Sequence, residues 1–257
     1  MTRAGRSLLF TAALCLALAC QPVFPESNRV APVRGIPGVD ANAVRASIDE
    51  ALTTLTSISI GESISRFEGK DGTTRKLDSF ETEVSIADGV EQYSEVRGAG
   101  RNYRHLSDIQ GLWSYGEIVT ILRTPRDLMD SAVAEPEAAR TVIRFHCPAG
   151  KHQWFLKVAG RVYWLDFEGT VKMSEQTGEI ERLTWTVNEG PREAGIASIL
   201  WDVNFHGTTV AGVSGLMPSD SEFRIVRRGS EGKAEWNLTR YAALGRYGSQ
   251  VNVSFGQ

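Results

Sequence analysis

The chain has 257 residues, of which 42% are hydrophobic and 23% charged, enough to build one large core or two small ones. Its formal net charge is −3, and no long strip concentrates Lys and Arg, which excludes non-specific nucleic-acid binding. Three cysteines are too few for a disulfide framework.

The amino terminus departs from the average composition. Arg3 and Arg6 precede an apolar run from Leu8 to Ala19, the pattern of a signal peptide over residues 1–19. The run falls short of the roughly 20 apolar residues that a spanning helix needs, so the processed chain is expected to be exported. Its charge count then becomes 26 basic against 31 acidic residues, a net −5.

Two cleavage readings stand side by side. Ala17-Leu18-Ala19 fits ordinary signal peptidase, whereas Leu16-Ala17-Leu18-Ala19-Cys20 is similar to a bacterial lipobox, in which Cys20 becomes the acylated first residue. Under the second reading Gln21 favours an outer-membrane or surface location, and the partner is the membrane itself through a lipid anchor on Cys20; the localisation expected overall is the cell envelope, outer membrane-anchored or periplasmic. Under the first, a bridge between Cys20 and Cys147 is conceivable.

Residues 20–40 hold Pro22, Pro25, Pro32 and Pro37 among small and polar residues, the composition of a flexible tether. A single β-rich domain is expected over 41–257. Val44, Ile48, Ala51, Leu52 and Leu55 recur at helical spacing and predict an opening helix. Residues 57–67 and 76–86 flank Gly69-Lys70-Asp71-Gly72, whose Asp-Gly predicts a hairpin. A third strand is expected over 91–97, before Gly98-Ala99-Gly100.

In residues 108–134, Ile118, Ile121, Leu122, Leu128, Met129 and Val133 are spaced as in helices, and Pro125 interrupts them. Two short helices are predicted, the second starting near Pro125. Beyond Arg140 the apolar period falls to two, with glycines between the runs, which predicts an antiparallel meander. Ile199, Trp201, Val203 and Phe205 should face the core and Leu200, Asp202, Asn204 and His206 the other way. Val162-Tyr163-Trp164-Leu165, apolar on both faces, is expected to lie centrally, or with helices covering its second side. The fold class is α+β: a strongly curved antiparallel sheet, an open half-barrel, wrapped around a few short helices. A two-sheet sandwich is the alternative.

Ser174-Glu175-Gln176-Thr177-Gly178-Glu179-Ile180-Glu181-Arg182-Leu183, with Trp236-Asn237-Leu238-Thr239-Arg240-Tyr241 and Val251-Asn252-Val253-Ser254-Phe255, resembles uncharacterised exported proteins of Acidobacteria-type bacteria. The order of tether, helix, hairpins, helical insert and meander is similar to the lipoprotein-carrier and lipoprotein-receptor (LolA/LolB-like) architecture. That architecture implies an unclosed barrel with an apolar cavity for acyl chains; the likeness is architectural and assigns no residue a role.

His146, Cys147 and His152 combine imidazole and thiol near a turn, but their spacing matches no metal motif and a fourth ligand is missing. The competing reading makes Cys147 a small core residue, and no metal or cofactor is assigned. Gly212-Val213-Ser214-Gly215 lacks the glycine placement of a nucleophile elbow and reads as a turn. Asp166 with Glu168, and Glu179 with Glu181, place two carboxylates on one side of a strand rather than across a cleft. Asn237-Leu238-Thr239 and Asn252-Val253-Ser254 match glycosylation sequons by chance. No catalytic signature is complete, and a non-enzyme is expected.

Trp154, Trp164, Trp185, Trp201 and Trp236 all fall on predicted strands of the meander. They either fill the core or line a concavity that binds a ligand. The functional expectation is an envelope-located binding module for a lipid or other apolar ligand. A structural or protein-interaction lipoprotein is the alternative.

Overall fold

A computed structural model describes residues 41–246 apart from 71, 88–89, 95, 99–117, 129–132, 138–139, 151–154, 175, 211 and 230–231; all lie in one compact unit, Val33–Gln257. The signal segment, Cys20 and the tether lie outside the described residues, as do His152 and Trp154.

The opening helix α1 runs Ala41–Leu55, and the residues that set its period, Val44, Ile48, Ala51 and Leu55, are at most 1% exposed. Strands β1, Ile58–Lys70, and β2, Thr73–Ala87, form the first hairpin, and Gly72 takes the positive φ of 82° that its turn demands. The third strand is two short pieces, β3 Val90–Tyr93 and β4 Arg97–Gly98, both paired with β2.

Between 118 and 137 the structure corrects the sequence reading. Pro125 does not begin a helix; it lies inside α2, Ile118–Leu128. An interior proline forfeits one backbone bond and crowds the carbonyl four residues back, but here only the last three residues follow it, where helix ends tolerate irregularity. Val133 is not helical, because β5, Val133–Glu137, pairs with β6, Arg140–Cys147. Strand β5 is an edge, which accommodates Pro136.

The remaining strands are β7 Phe155–Val158, β8 Arg161–Trp164, β9 Phe167–Ser174, β10 Ile180–Val187, β11 Ile196–Val210, β12 Val213–Arg227 and β13 Ala234–Arg246. All but β7 and β8 join one antiparallel sheet, in the order β3-β2-β1-β13-β12-β11-β10-β9-β6-β5. The last strand thus sits against the first, and the sheet stays open between its ends β3 and β5. Strands β7 and β8 pair only with each other. Because β6 binds β9 directly, no slot remains for them, and the expectation that residues 162–165 lie centrally fails: Val162 and Trp164 are exposed while Leu165 is buried.

One face of the sheet carries the core. Residues 199, 201, 203 and 205 are buried there, as the alternation on β11 requires. An aromatic ladder crosses five strands on this inner face. Phe145 meets Phe167 edge-on at 6.2 Å, Phe167 stacks on Trp185 at 4.8 Å, Trp185 meets Trp201 at 5.3 Å, and Trp201 meets Phe223 at 6.0 Å. Such offset and edge-on contacts suit the ring quadrupoles. The ladder needs room, and Gly169 supplies it: a Cβ there would fall 2.0 Å from the Phe145 ring.

Helix α1 packs on β12, β1 and β10 and touches α2, which in turn packs on β6. Contact with β12 is close at Gly215, where a Cβ would lie 1.8 Å from Thr54 Oγ1. That hydroxyl donates to the Glu50 carbonyl at 3.0 Å and cannot retreat freely. Gly215→Ala is therefore expected to lower the unfolding free energy by about 1–3 kcal/mol through overpacking, read as a fall in urea midpoint at unchanged slope.

Candidate functional site

The inner face is not uniformly apolar. Where β10, β11 and β9 form it, it is aromatic and aliphatic; where β12, β13, β1 and β2 form it, polar side chains are buried. Glu62, Arg66, Thr82, Ser221, Asn237 and Thr239 are each at most 7% exposed. Register places them side by side: Glu62 lies opposite Thr82 and Tyr241, Ser221 opposite Thr239, and Arg66 opposite Asp78 and Asn237.

Part of this strip satisfies itself. Arg66 makes a forked ion pair with Asp78, with Nε donating to Oδ1 at 2.6 Å, and Ser221 Oγ shares a hydrogen bond with Tyr241 Oη at 2.9 Å. The rest is open. Asn237 Oδ1 is buried with no hydrogen-bond partner, and Glu62 makes no hydrogen bond or ion pair with another described residue. A buried acceptor without a donor is costly, about 1–3 kcal/mol, and natural proteins keep few of them.

Burial pushes the Glu62 carboxyl from 4.5 up to about 8, and the nearby charge of Glu91 adds to the effect. Glu91 is itself held by two donors: Oε1 accepts the Val119 N–H at 3.0 Å, at the positive end of α2, and Oε2 accepts the Tyr93 hydroxyl at 2.6 Å. At neutral pH, Glu62 is thus a neutral acid that can donate a hydrogen bond, inside a largely dry face. Sequence reasoning passed over Glu62 and Asn237. The signal available was Glu62 in phase with Ile58, Ile60 and Ile64 on an alternating strand.

The five tryptophans do not share one surface. Trp185 and Trp201 are core members of the ladder. Trp236 alternates with Asn237 and so points to the opposite face, where it stacks on Phe67 at 5.7 Å under the Arg224 guanidinium, 4.7 Å from its ring centre. Trp164 belongs to the separate β7–β8 hairpin, and Trp154 lies outside the described residues.

His146 and Cys147 point to opposite faces of β6. His146 is exposed, its Nδ1 2.9 Å from Glu168 and its Nε2 3.6 Å from Asp166. Cys147 is fully buried in the core, and desolvation, with a smaller contribution from Asp166, pushes its thiol up to about 12. No group of three or more potential metal ligands converges among the described residues. Ser214 sits at the β11–β12 turn, its hydroxyl 2.8 Å from that of Thr209. A cleft of about 360 Å³ opens over Gly61, edged by Glu81, Glu83, Arg97, Arg240 and Leu244, and its lining also takes in Glu62, Thr82 and Tyr241.

No protein-family model matches the chain, and no curated protein matches it. Among solved structures it is similar to a DUF1329 family protein from Desulfovibrio piger ATCC 29098, at 11% identity over 83% of this chain and 95% of that one, with a TM-score of 0.37. It is also similar to a LolA superfamily protein from Nitrosomonas europaea, at 7% identity over 79% and 92% and a TM-score of 0.38. An outer membrane lipoprotein-sorting protein domain from Vibrio parahaemolyticus gives 7% identity over 84% and 95%, with a TM-score of 0.29.

Proposed function

We propose that this protein is an exported, envelope-located binding module that holds a lipid or other apolar ligand against the inner face of its open sheet. In this reading the sheet curves as a half-barrel around α1 and α2. The ligand's apolar part lies along the aliphatic and aromatic surface, and its polar end meets Glu62, Thr82 and Asn237. The observation that carries the reading is Glu62: a carboxyl 95% buried, held neutral, unpaired among the described residues, and set beside apolar surface. A neutral acid there can donate to an ester or carboxyl oxygen, and charging it would cost several kcal/mol.

The surroundings of Cys147 and of Ser214, the nucleophile candidate, support a binding role. The Cys147 thiol is held far from its thiolate form, which is the reactive one, and Ser214 has a threonine hydroxyl rather than a base beside it. Acylation of Cys20 would tie the module to the outer membrane on a tether of residues 20–40.

Native mass spectrometry of the protein purified without detergent tests the proposal. One equivalent of a non-covalent amphiphile is expected, removable by solvent extraction and replaceable by a fluorescent fatty acid. A chain uniformly at its polypeptide mass that also fails to bind the fluorescent probe would overturn it.

A further inference from the structure

The β7–β8 hairpin carries an apolar face that the body of the protein leaves uncovered. Its inner residues Leu156 and Val158 pack on the core. On the other side, register brings Phe155 opposite Trp164 and Lys157 opposite Val162. Phe155, Val162 and Trp164 are 45%, 49% and 51% exposed, so three of the large exposed apolar side chains share one ten-residue ribbon. Burial of such groups is worth about 25 cal/mol per Å², and a clustered exposed patch marks an interaction surface.

The charge of the ribbon selects the partner. Residues 155–164 contain Lys157 and Arg161 and no carboxylate, in a chain of net charge −3. Lys157 stands on the face of Phe155, Val162 and Trp164, whereas Arg161, opposite Val158, stands at the turn on the other face; both are exposed, and neither forms an ion pair with a described residue. Tryptophan and phenylalanine settle at the headgroup level of a bilayer, while Lys and Arg extend to its phosphates. The two rings meet edge-on at 5.5 Å, and Ala159 and Gly160, with φ of 48° and 79°, close a tight turn. The geometry therefore presents a preformed wedge rather than a loose loop, with little ordering left to do on contact.

We propose that the β7–β8 hairpin docks on an anionic bilayer surface, with Phe155, Val162 and Trp164 in the interface, Lys157 on lipid phosphates beside them and the long Arg161 side chain reaching phosphates from the turn. This contact depends neither on the ligand of the inner face nor on acylation of Cys20, and the test removes the latter.

In the chain without the signal segment 1–19 and carrying Cys20→Ser, where the remaining Cys147 is buried, Val162→Cys labelled with an environment-sensitive fluorophore reports on the hairpin alone. With vesicles of phosphatidylcholine and phosphatidylglycerol (3:1) the emission should shift to the blue and rise several-fold, and pure phosphatidylcholine should give a far weaker response. Each basic residue near an anionic surface contributes about 1 kcal/mol, so Lys157→Glu with Arg161→Glu should cut partitioning about tenfold or more. That pair leaves the aromatic contact intact, and an unchanged thermal midpoint certifies its fold. Phe155→Ser with Trp164→Ser should abolish the blue shift. A label that stays water-like with anionic vesicles overturns the proposal. So does a blue shift without vesicles that grows with protein concentration, which would instead mark the patch as a contact between two copies of the chain.

Discussion

Glu62→Gln is expected to stabilise the protein, by an amount that depends on pH. The native carboxyl titrates at about 8 against 4.5 when unfolded, so between these values the native state holds a proton that the unfolded chain has released. Stability associated with this group is complete below pH 4.5 and is lost as pH rises towards 8, because the slope of the unfolding free energy with pH follows the excess of protons on the unfolded state. At 1.36 kcal/mol per unit, the penalty is under about 1 kcal/mol at pH 5, on the order of 3 kcal/mol at pH 7, and about 4 kcal/mol at pH 8.

Glutamine keeps the shape and a donor while removing the titration. The difference in unfolding free energy between Glu62→Gln and the parent should therefore widen by on the order of 3 kcal/mol between pH 5 and pH 8, measured by urea denaturation at each pH. A difference that stays flat within about 0.5 kcal/mol would show a carboxyl that ionises normally, and with it the neutral donor of the inner face would disappear. The same titration predicts weaker ligand binding above pH 8, where the donor becomes an anion.

Trp185→Ala should be the most damaging single substitution in the core, at about 3–5 kcal/mol. The ring is 1% exposed, stacks on Phe167 and meets Trp201 edge-on, so its removal costs burial area, leaves a cavity and breaks two aromatic pairs worth about 0.5–1.5 kcal/mol each. Gly169, opposite it on β9, has no side chain with which to refill the space. Trp164→Ala should instead fall within about 0.5 kcal/mol of the parent, as expected for an exposed site. Urea midpoints for the two variants, compared at equal slope, decide which tryptophans build the fold. Equal losses at both sites would contradict the separation of the hairpin from the main sheet.

Much of the fold was legible because its periods are local. Val44 to Leu55 repeat at helical spacing and α1 forms there; Ile199 to Phe205 alternate and the strand turns that face inward; the Gly69–Gly72 segment turns where its residues demand it. The errors share a cause. The apolar residues around Pro125 and Val133 carry a helical period, yet pairing of β5 with β6 outweighs it, since strand choice is settled by partners far along the chain. Val162-Tyr163-Trp164-Leu165 reads as a buried core strand because hydrophobicity says that a residue could be buried, not that a slot for it exists.

The candidate site lies at the same limit. Its residues were visible only as an out-of-place Glu62 among isoleucines, and Asn237 stood in a chance sequon that its burial closes off. The sequence by itself determined the alternation of each strand, the turns, and the amphipathic α1, all of which rest on neighbours within a few residues. Tertiary structure alone decided that β13 returns to β1, which sets Asn237 beside Arg66 and Tyr241 beside Glu62, and that the Glu62 carboxyl is buried, the main reason it is held neutral, with the Glu91 charge adding to the effect. Cross-strand register and electrostatic distance are properties of residues up to about 180 positions apart, and no local pattern encodes them.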